Sequence, residues 1–353
     1  MPIKNQHYVP QSYLKNFSDK KRKLWVFDKF NNKKFQSHIS NVASETYFYD
    51  FPQDGKKEER DQYIEKFFSE LESRSCIFTN HIFKKIKGVL NLKNTEKVYS
   101  TEVLTQDQKL DFAYLVAIQA LRTKEFREFY TEMWQKTKPW LSSFLEYEVL
   151  NSVENLNLEG NQEFLNCIQS LKLEYNEDNV TLLKNIIKEF IFEQCWSGYT
   201  DLQTKGITLS HAIFIFEKYK KLTNILVNHI WLVGVNDTEE LFFTSDHPVV
   251  KHNRLNLNGY SSEGIEIVYP INNNLILIIL DKTYFHPCIN LDRKLIQLTR
   301  EDVGYYNSLQ VFSSYRFVFS HNKNLSLAEN MCKSNPALCS PNQERSQLQV
   351  NYH

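Results

Sequence analysis

The residues that could perform chemistry fall in three short segments, and the first lies at the N-terminus. Within eleven positions from His7 to Phe17 the chain carries a histidine, three large aromatic side chains and a proline. Tyr13 and Phe17 predict a short helix that begins after Pro10, which leaves His7 where the chain enters the domain. There a histidine can act as general acid or base near neutral pH. The alternative is a docked terminal segment in which His7 makes one structural hydrogen bond.

The second segment lies on a long predicted helix. Gln119 and Arg122 are three residues apart, on the face that also carries apolar side chains. A guanidinium group on an apolar face needs an anion or several carbonyl groups, because its burial without a partner is very unfavourable. Glu65 and Glu72, seven residues apart on an earlier predicted helix, are candidate partners. A phosphate or carboxylate ligand would suit the arginine equally well, so a structural ion pair and a ligand site both fit.

The third segment runs from Thr244 to Pro248, where a predicted strand ends in Ser245, Asp246 and His247. In an aspartate just past a strand end, the strand fixes the position of the main chain, while the side chain is free in the loop. Active sites often place a metal ligand or a general base at this position. Aspartate before a proline also commonly caps its own turn, which is the structural alternative. His247 is a candidate ligand only if Asp246 is one.

Length, charge and missing motifs limit the possible functions. The 353 residues suffice for one large domain or two ordinary ones, and 42 basic residues balance 42 acidic residues. That balance argues against strong non-specific binding to DNA. The chain has no GxGxxG, GxxxxGK[ST], HExxH, GxSxG or CxxC motif. Rossmann enzymes, P-loop ATPases, zinc proteases and α/β-hydrolases are therefore disfavoured.

The sequence also predicts where the protein resides. Its six cysteines are widely spaced, and the first residues lack the apolar run of a secretory signal. The apolar run at 275–280 is far shorter than the roughly 20 residues that span a bilayer. We expect a soluble, cytoplasmic protein with reduced thiols and no membrane partner.

Apolar periodicity predicts strands, then helices, then strands again. Residues 24–27 and 33–38 are typical of a strand hairpin, and the spacing over 58–86 is typical of an amphipathic helix. Thr105 and Gln108 match a capping box at the start of a long helix that continues towards Pro139. Further helices are predicted up to 150, at 182–196 and at 209–222, with a linker over 151–180.

The C-terminal part predicts an antiparallel sheet. Residues 236–238 have the composition of a hairpin turn between strands at 225–235 and 240–244. Consecutive hairpins favour antiparallel pairing. Further strands are predicted at 265–269, 275–280 and 311–319.

This order predicts an α+β fold with an N-terminal strand hairpin, a helical middle region and a C-terminal antiparallel sheet. The helical region spans about 58–222 and the sheet region about 223–320. We predict one integrated domain over residues 1–332, followed by a polar, disordered tail over 333–353.

The three segments resemble a bacterial family, domain-of-unknown-function family 4238, over roughly residues 5–320. The family's opening pattern, His-Tyr-x-Pro-x-x-Tyr-Leu-x-x-Phe, is matched by His7, Tyr8, Pro10, Tyr13, Leu14 and Phe17. A Gln-x-x-Arg-Thr step is similar at Gln119, Arg122 and Thr123, and a Thr-Ser-Asp-x-Pro turn at Thr244, Ser245, Asp246 and Pro248. Weaker similarities lie at residues 45–49, Glu65, Glu72, Pro270 and Asn307. The family often has asparagine where this chain has His247.

The resemblance implies one assembled site, because independent salt bridges have no reason to belong to a family pattern. Separate segments of the chain each contribute one or two polar residues to that pattern. The implied catalytic residues are His7, Glu65 and Asp246. The implied substrate-binding residues are Tyr8, Gln119, Arg122 and Asn307.

Two functions of different classes fit such a site. The first is a metal-dependent nuclease or phosphodiesterase that acts on RNA, DNA or a nucleotide. In it, Arg122 would hold a phosphate, Asp246 and Glu65 would bind Mg²⁺ or Mn²⁺, and His7 would transfer protons. A toxin or phage-defence role is what the bacterial family leads us to expect. The second is a non-catalytic module that senses a ligand or partner, in which Arg122 and Gln119 grip an anion.

Overall fold

The computed structural model describes residues 4–50, 52–53, 56–60, 63–91, 101–133, 135–136 and 206–341. The chain divides into two compact units, residues 1–129 with 211–345 and residues 130–210 with 346–353. All contacts described below lie within the first unit. The predicted linker and the predicted helix at 182–196 lie outside the described residues, and the single domain over 1–332 stays a prediction.

Thirteen strands are present in the described residues, named here in chain order. They are β1 (Asn5–His7), β2 (Lys23–Asp28), β3 (Lys33–His38), β4 (Ser44–Thr46), β5 (Pro52–Gln53), β6 (Lys56–Arg60), β7 (Ile230–Val235), β8 (Thr244–Ser245), β9 (Val250–Asn253), β10 (Ile265–Asn272), β11 (Leu275–Leu280), β12 (Lys294–Gln297) and β13 (Phe317–Ser320).

The helices of the same residues are α1 (Gln11–Leu14), α2 (Tyr63–Leu90), α3 (Gln106–Leu121), α4 (Gly206–Val227), α5 (Arg300–Ser313) and α6 (Ser326–Ser334). Residues 124–133 are also helical. Short 3₁₀ helices lie at Lys15–Phe17, Ile39–Asn41, His286–Leu291 and Pro336–Cys339. None of these described helices is long and apolar enough to cross a membrane.

The α+β order predicted from the sequence is confirmed. Strand β2 pairs with β3 as the predicted hairpin, and on its other side with β13, which in turn pairs with β8. The resulting four-stranded sheet joins the N-terminal hairpin to the C-terminal part of the chain. A second sheet has the order β12-β7-β11-β10-β9 and is antiparallel except for the parallel pair β12–β7.

The central strand β11 shows why this second sheet is buried on both faces. Its sequence is a continuous apolar run, and all six residues are buried. Alternate side chains enter different cores: Leu277 packs in the larger cluster with the helices α2 and α3, whereas Ile276 and Ile278 pack in a second cluster with α5. Alternation along a strand sends neighbouring side chains to opposite faces, so both faces must be apolar.

The N-terminal segment is docked firmly. Strand β1 pairs with β4, and α1 begins directly after Pro10. The Tyr13 phenol donates to the carbonyl oxygen of Pro270 at 2.7 Å and lies 2.7 Å from the Thr244 hydroxyl. Its ring stacks on Tyr269 with centroids 5.0 Å apart. These contacts attach α1 to both sheets.

The helix that follows Thr105 begins as predicted but ends earlier. The Thr105 hydroxyl accepts the Gln108 amide, and the Gln108 side chain accepts the Thr105 amide, which confirms the capping box. Helix α3 then ends at Leu121. A new helix starts at residue 124, where the Thr123 hydroxyl accepts the amide of Phe126 at 3.3 Å.

Two predicted strand assignments are wrong. No hairpin forms at 236–238, because β7 pairs with β11 and β12. The Asn236 side chain accepts the amide and hydroxyl of Thr238 and turns the chain towards β8 in the other sheet. Residues 311–313 belong to α5, which begins with a capping box of Thr299 and Asp302. The last two residues of α6 and the 3₁₀ helix after it lie within 333–353, where the sequence predicts a disordered tail.

Candidate functional site

Arg122 is the centre of a buried polar cluster at the end of α3. Its Nη1 donates to Glu72 Oε1 at 3.0 Å and its Nη2 donates to the carbonyl oxygen of His7 at 2.6 Å. Its Nε donates to the phenol oxygen of Tyr49 at 3.2 Å, and the guanidinium lies 4.2 Å from the ring centre of Phe68. The ion pair between helices that the sequence allowed is therefore present, and it also holds the N-terminal strand.

Gln119, about one turn before Arg122 on α3, binds the residue that follows β1. Its Nε2 donates to the carbonyl oxygen of Tyr8 at 3.1 Å. Gln6, which sequence analysis did not single out, donates to Asp50 at 2.6 Å and accepts the amide of Tyr49 at 2.7 Å. Side chains alternate along a strand, so Gln6 and His7 lie on opposite faces of β1. This alternation is the sequence signal that could have indicated a separate role for Gln6.

Glu65 lies two turns before Glu72 on α2, within electrostatic reach of Arg122. Its Oε2 is buried and has no hydrogen-bond partner among the described residues. Burial raises the pKa of Glu65 to about 7; Arg122 opposes this rise, and the carboxylates of Glu72 and Asp50 add to it. A carboxyl group with a pKa near neutrality can either donate or accept a proton at physiological pH.

The side chain of His7 is half-buried. Burial lowers the pKa of His7 below its usual range, main-chain contacts with Ser40 and Ile39 oppose this, and the charge of Arg122 adds to it. Its Nε2 is buried without a hydrogen-bond partner in the part of the chain that the structure describes. The imidazole is therefore neutral at physiological pH.

A cavity of about 60 Å³ borders the ion pair. Helices α1, α2 and α3 and strand β10 form its walls. The polar lining consists of Ser12, Tyr13, Asn16, Glu72, Thr79, Gln119, Arg122 and Tyr269.

Asp246 has a different environment. It is fully buried, its Oδ1 accepts the amide of Tyr315 at 2.9 Å, and its Oδ2 accepts the amides of Arg316 and Phe317 at 2.8 Å each. Burial raises the pKa of Asp246 to about 6, although these amides and the charge of Lys29 oppose the rise. The carboxylate thus orders the segment that leads into β13.

Asn307 and His247 also make structural contacts. Asn307 accepts the amide of Phe243 at 2.7 Å and donates to the carbonyl oxygen of Leu241 at 2.9 Å, so it holds the chain that leads into β8. His247 Nδ1 lies 2.7 Å from the Thr123 hydroxyl, and burial lowers the pKa of His247 to about 4. The segment after Gln119 and the turn after β8 therefore touch through Thr123 and His247.

Tyr8 lies between these two regions. Its carbonyl oxygen accepts from Gln119, and its buried ring packs 4.9 Å from that of Phe48. Burial raises the pKa of the Tyr8 phenol, and the charges of Asp246 and Glu45 add to this rise. The structure thus gathers the main chain of residues 7–8 around Gln119 and Arg122, and the Tyr8 phenol is within electrostatic reach of Asp246.

The sequence predicts a divalent ion held by Asp246 and Glu65. Among the described residues, no three His, Cys, Asp or Glu side chains are grouped as a metal site. Both oxygens of Asp246 already accept amide hydrogens, so their contacts do not fit the predicted ligand role.

A family model described as "Protein of unknown function (DUF4238)" matches residues 5–324. The chain belongs to the DUF4238 family. This match confirms the resemblance stated above, and it includes both the Arg122 cluster and the Asp246 segment. The DUF4238 description gives no activity. No curated protein and no solved structure matches the chain.

Proposed function

We propose that this protein binds a small ligand in the cavity beside the Arg122–Glu72 ion pair. The cavity itself carries the proposal. It is lined by Gln119 and Arg122, the two residues that the sequence predicts to grip a ligand. Its walls are helices and a strand, and sites on such elements hold their geometry better than sites on loops.

The contacts of Asp246 favour binding over metal-dependent catalysis. A catalytic carboxylate needs an accessible oxygen, whereas both oxygens of Asp246 accept main-chain amides within a fully buried segment. The same amides explain why an aspartate is needed at this position without any reaction.

The proposal is tested by thermal unfolding with a panel of small charged molecules: inorganic phosphate, acetate, nucleoside monophosphates, ethylammonium and methylguanidinium. A ligand that binds only the native state raises the unfolding temperature. At a concentration one hundred times Kd it adds about 2.7 kcal/mol to the free energy of unfolding. We expect at least one such ligand. Ser12→Phe, which fills the cavity, should abolish the effect, and Ser69→Phe at an exposed site on α2 should not. A panel without any stabilising compound would contradict the proposal.

A second candidate, a nuclease or phosphodiesterase acting on RNA or a nucleotide, is favoured by Glu65. Its buried, unpartnered Oε2 and its pKa of about 7 suit a general acid or base. Hydrolysis of RNA and of cyclic nucleotides is measured at pH 7 for the wild-type protein, Glu65→Gln and the exposed control Glu70→Gln. This function requires a loss of about 100-fold in Glu65→Gln alone. Absence of turnover in the wild-type protein would exclude it for these substrates.

A further inference from the structure

We infer that the ligand of this cavity is a small organic cation, carrying an alkylammonium or guanidinium group. This inference rests on the binding function proposed above and names the ligand class. It reverses the sign of the ligand that the sequence predicts, because Arg122 suggests an anion when its partners are unknown.

The accessible charge at the cavity is negative. In the ion pair, the side chain of Arg122 is 3% exposed and that of Glu72 is 27% exposed. The guanidinium donates from all three of its nitrogens, to Glu72, to the carbonyl oxygen of His7 and to Tyr49. Of the two charged side chains that line the cavity, Glu72 is therefore the more accessible to a ligand. A carboxylate can accept several hydrogen bonds at once, so its bond with Arg122 does not prevent a bond to a ligand.

The amide side chains of the lining lead to the same conclusion. Gln119 donates from Nε2 to the carbonyl oxygen of Tyr8, and Asn16 donates from Nδ2 to the carbonyl oxygen of Ile271 at 3.2 Å. Each side chain uses one of its two N–H donors on the main chain and keeps its acceptor oxygen. Together with the carboxylate of Glu72, these oxygens give the lining acceptors that a ligand with several N–H donors can use.

Size and aromatic lining agree with this class of ligand. The volume of about 60 Å³ fits a guanidinium or short alkylammonium group and leaves little room for a nucleotide. Tyr13 and Tyr269, which stack on each other, both line the cavity. Aromatic rings attract organic cations. An anion would instead meet the carboxylate of Glu72 and the amide oxygens, and like charges at close range disfavour binding.

The test is isothermal titration calorimetry of the full chain with methylguanidinium and ethylammonium, beside inorganic phosphate and acetate. We expect a cation to bind and the anions not to bind. Glu72→Gln should weaken cation binding by about tenfold or more, because it keeps an acceptor for Arg122 and removes the charge. Glu70→Gln removes the same charge from an exposed position on the same helix and should leave binding unchanged. If Glu72→Gln does not fold, Ser12→Phe serves as the second variant, and it should abolish cation binding.

The outcomes separate this inference from the proposed function. If phosphate or acetate binds, Ser12→Phe abolishes that binding and the cations do not bind, the cavity is a ligand site and the cation inference is overturned. If neither class of ligand binds, the cation inference fails, and the proposed binding function fails as well if the nucleoside monophosphates also leave the unfolding temperature unchanged. If Glu70→Gln weakens cation binding as much as Glu72→Gln, cation binding depends on the net charge of the protein and not on Glu72, and the inference is again overturned.

Discussion

The Arg122 cluster and the Asp246 segment both contain polar residues that the family resemblance singles out, yet they use their hydrogen bonds differently. Arg122 contacts a partly exposed carboxylate and borders a cavity. Asp246 is fully buried and accepts three consecutive main-chain amides. Both arrangements satisfy a buried charge, which is a requirement of the fold. Only the first leaves a polar surface that a ligand can reach.

The comparison shows that a family pattern can record two kinds of constraint. An aspartate that orders a strand entrance is as irreplaceable as one that binds a substrate, because the amides it accepts would otherwise lie buried without partners. The four variants below test whether the two regions differ as their contacts indicate.

The largest effect is expected from Arg122→Met. It removes the cation that Glu72 contacts and the positive charge that opposes the rise in the pKa of Glu65. Breaking a buried ion pair on one side lowers the free energy of unfolding by about 3–5 kcal/mol. Urea unfolding at neutral pH measures this. Arg122→Lys, which keeps the charge and loses the planar fork, should lie between wild type and Arg122→Met. A loss below about 1 kcal/mol would mean that the cluster does not hold the fold.

Asp246→Asn should lower the free energy of unfolding by about 2–3 kcal/mol, because one acceptor oxygen becomes an amide group that faces N–H donors. Asp237→Asn, at an exposed aspartate, is the matched control and should change little. Ligand binding by the folded variant, measured by calorimetry, should equal that of the wild-type protein. Loss of binding in a folded Asp246→Asn protein would join the two regions into one site and remove the difference between them.

Glu65→Gln should change stability in a pH-dependent way. Because the pKa of Glu65 is raised to about 7 in the folded state, the folded protein binds the extra proton, and wild-type stability falls as pH rises from about 4.5 through 7. The variant lacks this titration and should be more stable than wild type at pH 8 by about 1–2 kcal/mol. At pH 4 the two should be equal. Thermal melts across this range measure the difference, and a constant offset at every pH would show that Glu65 is not the titrating group.

The smallest effect is expected from His247→Asn, which introduces the residue often found in the family. Burial lowers the pKa of His247 to about 4, so this histidine stabilises the fold above its unfolded pKa and the stabilisation is lost as pH falls from about 6.5 towards 4. The variant should gain about 1 kcal/mol over wild type between pH 8 and pH 6. His286→Asn, at an exposed histidine, controls for general acid effects. Equal acid sensitivity of wild type and His247→Asn would contradict the expectation.

Local signals in the sequence predicted the elements that depend on local contacts. The capping box at Thr105 and the hairpin at 24–38 are formed by neighbouring residues, and both are confirmed. The predicted hairpin at 236–238 does not form, because the partners of β7 are β11 and β12, which come later in the chain. Apolar periodicity does not predict helix α5, because its last apolar residues run on towards those of β13; its local signal is the capping box of Thr299 and Asp302.

The site could be predicted less fully than the fold, for the same reason. The spacing of Gln119 and Arg122 indicated buried polar side chains that need partners, and that was the useful signal. Which partner each one takes depends on contacts across the fold: Arg122 binds Glu72, 50 residues away, and Asp246 accepts an amide 71 residues away. No local pattern distinguishes an aspartate bound by main-chain amides from one that is free to act.

The two contacts of Tyr13 bear on how the chain is made. They join residue 13 to Thr244 and Pro270, which are 231 and 257 residues later in the sequence. At a synthesis rate of about 5–20 residues per second, the aromatic N-terminal segment waits about 10–50 s on the ribosome before its partners exist. During that time the Tyr13 side chain lacks both of these native contacts. These two contacts of Tyr13 therefore cannot form until most of the chain has been synthesised.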